Sequence, residues 1–237
     1  MARMVNEAAH AARRNTILDA TQRVVETKGY EQMAIADILG ELNISSGAFY
    51  HYFDSKPALL EALVERMGNQ LEQLVLPIIH DSRLSALDKL QRLFATLDHS
   101  KLAHKRLVLA FLHIWYGDEN AIMRHKLYLA RIKRFTPWLT QIIQQGVEEG
   151  VFTAPYPDQT ARMMVSLLED LGYATVELIL SAERSPDDLP RLQRIVVATT
   201  DALERVLGAP AGCLQQASRE ELSQWLVSPS LKKEEEG

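Results

Sequence analysis

Wherever apolar residues recur along this chain they do so at the spacing of an α-helix, and no stretch of any length alternates at the two-residue period of a strand. Ile17, Leu18, Thr21, Val24 and Val25 line one helix that Gly29 stops. Ser55 caps the next long helix, with Pro57 in its first turn and a stripe of Leu60, Leu63, Met67, Leu71 and Leu74 that should end before Pro77. Further helical sets follow at Leu84, Leu87, Leu90, Phe94 and Leu97, at Leu107 to Tyr116, and at Ile122, Leu129, Ile132, Phe135, Leu139 and Ile143. Asp118 reads as an N-cap after Gly117, and Gly150 ends the helix that contains Pro137. Pro157 with Asp158, and Pro186 with Asp187 and Asp188, place a proline and acids in a first turn and predict helices over 158–180 and 186–207. The fold class is all α.

Two of the helical sets are short and stand close together. Ile35, Ile38, Leu39 and Leu42 give one amphipathic segment, and Asn43 can take the left-handed conformation that ends it. Ser45 then caps a second short helix whose inward residues are Phe49 and Phe53. The outer face of that helix is unusual for a purely structural corner. Ser46, Gly47 and Ala48 are small enough to let base edges approach, while Tyr50, His51 and Tyr52 can donate to phosphates and Lys56 follows directly. This is the pattern of a helix-turn-helix that reads duplex DNA.

Charge bounds how such a reader works. The chain of 237 residues carries a formal net charge of -5. Its first 66 residues hold seven Lys and Arg against nine Asp and Glu, so binding by bulk electrostatics is excluded and the favourable charge has to be local. Arg3, Arg13 and Arg14 cluster before the first core helix and Lys56 lies after the reading helix. Residues 1–12, with Ala8, Ala9, Ala11 and Ala12 but no apolar stripe, read as an arm that can extend the first helix from about Arg13.

The run from Ile44 to Lys56, followed by Leu59 and Leu60 and preceded by Ile17, Ala20, Gly29, Tyr30, Ile35, Asp37 and Ile38, resembles the signature of the TetR/AcrR (tetracycline-repressor) family of bacterial transcription factors. Three positions depart from it: Met33 and Ala34 replace the usual capping Thr or Ser, Leu39 stands for a small residue, and Asn43 for the glycine of the turn. The departures imply a weaker cap, since Ala at an N-cap costs about 1 kcal/mol relative to Ser. The resemblance implies a helix-turn-helix DNA-binding domain over residues 1–54 and a ligand-binding and dimerisation domain over 55–207. Residues 208–237 then form a linker, a short helix with Leu222, Trp225 and Leu226, and a charged tail. It also implies a ligand-responsive regulator, most often a repressor, acting as a homodimer on a palindromic operator. Ser45, Ser46, Gly47, Ala48, Tyr50, His51, Tyr52 and Lys56 would touch DNA. An inducer pocket would use Phe111, Trp115, Phe135, Trp138, Met164 and Leu168 as walls and His113, Arg131 and Asp170 as polar anchors, which suits a bulky, mainly apolar molecule. Met164, Leu167, Leu168, Leu171 and Val176 on one helix, and Leu192, Ile195, Val196, Leu203 and Val206 on the next, are the apolar sets available to pair two subunits.

Other classes find less in the sequence. Cys213 is the single cysteine, so no intrachain disulfide forms; with no leader-like or membrane-length apolar run, the expected location is the cytoplasm, away from any membrane. The seven histidines form no metal-ligand spacing, so no metal or other cofactor is expected. Glu169, Asp170 and Glu177 read as a solvated or subunit-facing edge, and Ser166, Ser181 and Asp170 lack the elbow and base of a nucleophilic site, so an enzyme is not expected. The alternative reading is a helical small-molecule-binding protein without regulated DNA binding.

Overall fold

The computed structural model describes residues 2–116, 121–181 and 183–226; the side chains of residues 2–6, 113–116 and 123 lie outside that description. Ten helices occur among the described residues: α1 (Ala2–Lys28), α2 (Ile35–Leu42), α3 (Ser46–Tyr50), α4 (Lys56–His80), α5 (Ala86–Ala103), α6 (Lys105–Tyr116), α7 (Ala121–Glu148), α8 (Pro157–Leu180), α9 (Asp188–Leu207) and α10 (Arg219–Leu226). They form two compact units. One comprises Met1–Leu74 with Ser100–Ile114, the other Val75–His99 with Trp115–Gly237. The change of unit therefore falls inside α4, α5 and α6.

The first unit is built around Ile17, Leu18, Val25, Met33, Ile38, Phe49, Leu59 and Leu63, all essentially inaccessible to water. Gly29, at φ +77°, ends α1 as its spacing predicts, and its amide donates back to the Val25 carbonyl at 3.0 Å. The helix itself is longer than its apolar stripe. It runs unbroken from Ala2, because the alanines before Arg13 are the strongest helix formers and need no buried face to continue it.

In the second unit α7 packs along α8, and α8 along α9. Leu139, Ile142, Ile143, Phe152, Ala161, Met164, Leu203 and Leu207 are buried there. The short α10 closes over Leu178 and Leu192 through Leu222, with Ile195, Val196 and Leu226 against the same cluster. Buried Glu204 ties down the linker before it, accepting from the Gly212 and Leu214 amides at 2.8 Å each.

Four expectations need correction. Pro77 does not end α4, which continues to His80: Val75 and Ile79, buried on either side, hold the helix through the lost hydrogen bond, while Leu74 is 57% exposed. Helix α9 begins at Asp188 rather than 186, because the Asp188 carboxylate turns back to accept from the Ser185 amide at 2.9 Å. The apolar sets assigned to a subunit interface mostly serve the protomer itself: Met164, Val176, Leu192 and Leu203 are buried in its core, and α10 covers Ile195 and Val196. The large apolar residues left exposed on these helices, among the described residues, are Met163, Tyr173 and Val197. Finally, Glu169 is no solvated edge but a largely buried partner of Arg131. The cap expected at Asp118 and the charged tail lie outside the described residues.

Asn43 occupies the left-handed conformation, at φ 49° and ψ 50°, where its amide reaches the Gly40 carbonyl. Asn43→Val should lower stability by about 1–2 kcal/mol because a β-branched residue resists that conformation, whereas Asn43→Gly should not destabilise. Urea unfolding of the two variants checks the pair, and equal midpoints would refute the assignment.

Candidate DNA-reading surface

Helix α3 is five residues long and is fixed at its N-terminal end. Ser45 Oγ accepts from the Ala48 amide at 3.2 Å, as its position predicts, and the Ile44 amide donates to Leu39 across the turn at 3.1 Å. Phe49 is fully buried, in edge contact with Tyr50 at 5.4 Å and tilted against Phe53 at 6.0 Å between ring centroids. With Phe49 inward, Ser45, Ser46, Gly47, Ala48, Tyr50 and His51 are turned outward and exposed, and Tyr52 is half-buried. A Cβ added at Gly47 would meet no atom within 4 Å. Nothing inside the protein therefore calls for glycine there, although glycine costs a helix about 1 kcal/mol relative to alanine.

The weak cap of α2 is partly restored from within the helix. Ala34 offers no side-chain acceptor, yet its amide donates to Asp37 Oδ2 at 2.8 Å, and Lys28 Nζ donates to Asp37 Oδ1 at 2.6 Å. The lysine hydrogen bond, then the Ala34 amide, hold the Asp37 carboxyl below the usual carboxylate range. Lys56 is more constrained than its sequence position suggests. Its ammonium lies 4.5 Å from the Tyr30 ring centroid and donates to the Glu31 carbonyl at 3.1 Å. Burial lowers its pKa, against the opposing pull of Glu31. Arg23 pairs with Glu41 at 2.6 Å, and Arg66 pairs with Asp19.

His10, which sequence reasoning left out, and Arg14, read there only as part of a basic cluster, stand beside this surface. His10 of α1 lies 4.6 Å from the Tyr52 ring and 5.7 Å from the His51 ring, and one turn on the Arg14 guanidinium stands 5.1 Å over Phe53. The signal was present: His10 and Arg14 fall at i, i+4 on the stripe that continues through Ile17, Leu18 and Thr21.

Of the residues assigned to an inducer, those on α7 and α8 belong to the second unit. Phe135 and Trp138, on successive turns of α7, meet edge to face at 5.1 Å; Trp138 and Met164 are buried and Leu168 is half-buried. Arg131 is engaged by Glu169 at 2.6 Å, and burial raises the Glu169 carboxyl against the arginine's pull. Asp170 is exposed, so it is not a buried anchor. Phe111 is buried in the first unit, and the side chains of His113 and Trp115 lie outside the described residues. Among the described residues no three His, Cys, Asp or Glu are grouped to hold a metal ion, and no helix is long and apolar enough to cross a membrane.

A family model described as "Bacterial regulatory proteins, tetR family" matches residues 17–63, and one described as "Tetracyclin repressor-like, C-terminal domain" matches residues 116–179. The HTH-type transcriptional repressor KstR2 of Mycobacterium tuberculosis is 25% identical over 170 residues, 70% of this chain and 80% of that protein. The HTH-type transcriptional regulator BetI of Escherichia coli is 28% identical over 169 residues, 70% and 78% of the two chains. In fold, the chain is similar to a TetR transcription regulator from Haloarcula marismortui (TM-score 0.63, 19% identity, 83% of this chain and 97% of that one). A transcriptional regulator from Cytophaga hutchinsonii gives 0.59 at 18% identity, covering 81% and 93%.

The Asp37 geometry sets a pH dependence. Its folded pKa is depressed, so its contribution is complete above the unfolded value near 4 and is lost as pH falls through the lower folded value. Asp37→Ala should thus melt at lower temperature than wild type at pH 7, with the gap narrowing as the solution is acidified below pH 4. A gap that stays constant down to pH 2 would show that the carboxylate does not cap α2.

Proposed function

Because the chain belongs to the TetR family of DNA-binding transcriptional regulators, we propose that it is a repressor that a small, mainly apolar molecule releases from a palindromic operator. The observation that carries the DNA half of this reading is the outer face of α3. Exposed Ser46, Gly47 and Ala48 project no bulk, and a glycine that the fold does not require fits a site where a base pair approaches the backbone. Tyr50, His51 and Tyr52 then surround that point as donors to phosphate oxygens, while Lys56 is held against the Tyr30 ring and the Glu31 carbonyl. Residues 1–54 read DNA in this proposal, residues 55–207 bind ligand and partner, and residues 208–237 supply the linker, α10 and the tail.

A homodimer supports specificity, since one five-residue helix reaches only a few base pairs while two, set about 34–36 Å apart, read two half-sites. Met163, Tyr173 and Val197 are exposed apolar residues on α8 and α9. Asp170 and Glu177 on α8 and Arg194 on α9 are exposed as well, so a two-fold axis can set acid against base. For the inducer, Phe135, Trp138, Met164 and Leu168 are the apolar wall we assign. Because Arg131 already faces Glu169, a neutral apolar molecule fits better than an acid, which would have to displace that carboxylate.

Gly47→Ala separates function from fold. It should leave stability unchanged or raise it by up to about 1 kcal/mol, and at the same time weaken operator binding at least about tenfold, by the loss of one close base approach. Thermal unfolding and an electrophoretic shift on the same sample check both, and unchanged affinity would remove α3 from the DNA interface. Val197→Glu tests the dimer: helicity should persist while the dimer dissociation constant rises at least about tenfold, because an unpaired charge is costly to bury. Sedimentation showing a dimer as tight as wild type would move the interface off α9.

A further inference from the structure

The helices that form the DNA reader are poor in usable positive charge. From residue 17 to 66 there are four Lys and Arg against eight Asp and Glu. All four cations are engaged inside the protein: Arg23 with Glu41, Lys28 with Asp37, Arg66 with Asp19, and Lys56 with the Glu31 carbonyl and the Tyr30 ring. A duplex presents about one negative charge per 1.7 Å of its axis, and such a surface would repel it. The sixteen residues before that stretch have the opposite balance, with Arg3, Arg13 and Arg14 against Glu7 alone. They lie outside the part of the chain that matches the family's DNA-binding region, which begins at residue 17.

The fold brings this extension to the reading helix. The alanine-rich first turns of α1 are continuous with its core half, and the stripe that buries Ile17, Leu18 and Thr21 places Arg14 and His10 one and two turns earlier on the same side. Arg14 stands over Phe53, just beyond α3. His10 fits its ring against Tyr52 and His51, and the His51 and Tyr52 rings meet edge-on at 5.1 Å. His10 and His51 are both exposed. Three donor-bearing rings from two separate elements are thus held in one outward-facing cluster next to the residues that approach base edges.

We infer that the N-terminal extension of α1 is part of the DNA interface, with His10, together with His51 and Tyr52, forming a phosphate-binding cluster beside each α3. The inference rests on the DNA-binding reading above and adds to it an element that the family signature does not contain. The same placement explains how a unit with a negative balance engages a polyanion: the pairing of its core cations leaves the contact to groups on the extension and to neutral donors.

The test uses the full-length protein and the tightest-binding duplex recovered from a random-sequence pool. His10→Glu introduces a negative charge into the cluster; Ala12→Glu introduces the same charge on the opposite, exposed side of α1. Both positions are exposed, so helicity by circular dichroism should match wild type. His10→Glu should weaken binding about tenfold or more and Ala12→Glu less than about threefold. A methylphosphonate scan should find a phosphate in each half-site whose neutralisation weakens wild type and leaves His10→Ala unchanged. Equal losses for the two glutamate variants would reduce the effect to bulk charge and overturn the inference, as would a scan in which His10→Ala responds like wild type. If wild type bound no duplex from the pool, the DNA-binding reading itself would fall, and this inference with it.

Discussion

The structure depends on the burial of one side chain, Phe49, from a helix too short to exist alone. Five residues close too few backbone hydrogen bonds to repay nucleation, so α3 has no intrinsic stability. A fully buried phenylalanine contributes roughly 1.5–3 kcal/mol, and the Ser45 cap about 1 kcal/mol more. Both anchors face inward or lie along the backbone. The outward residues other than Ser45 are consequently not needed to hold the helix, and their small size and donors can be set by what approaches from outside.

How much of this was legible follows from where each residue finds its partners. Local devices were readable because their partners are a few residues away: Ser45 capping Ala48, left-handed Asn43, Gly29 ending α1, Pro157 opening α8. The assignment of faces on α8 and α9 was not. Both helices carry apolar residues on more than one side, since α8 meets α7 and α9 meets α10 as well as each other. A helical period says which residues share a face; it does not say which face a neighbour covers. Met164 and Met163, adjacent in sequence, end up buried and 53% exposed. The Arg131–Glu169 pair was hidden for the same reason, because its members lie 38 positions apart on different helices.

Electrostatics shows the same division between local and long-range information. Counting charges established that this reader could not rely on a basic surface, but the count treats every cation as available. The structure commits Arg23, Lys28, Lys56 and Arg66 to partners within the unit. The exposed pairs Arg23–Glu41 and Lys28–Asp37 add little stability each. Their larger effect is on binding, since a cation already neutralised at 2.6 Å loses much of its attraction for a phosphate.

The path by which ligand could affect DNA is constrained by covalent continuity. The chain passes between the two compact units at 74/75, 99/100 and 114/115, and each passage lies within a helix rather than in a loop. A loop would let the units reorient at little cost, whereas a helix resists bending through every hydrogen bond along its length. One of the three is weakened: Pro77, two residues beyond the passage in α4, has no amide to give the Gln73 carbonyl, so the ladder lacks a bond close to where the units part. In the switch proposed above, these three helices are the covalent path along which a rearrangement of one unit would reach the other. Transmission alone does not switch anything. A ligand moves the equilibrium only by the difference in its affinity for the two arrangements, about 5.5 kcal/mol for a full reversal of populations, and operator DNA must weaken ligand binding by the same factor.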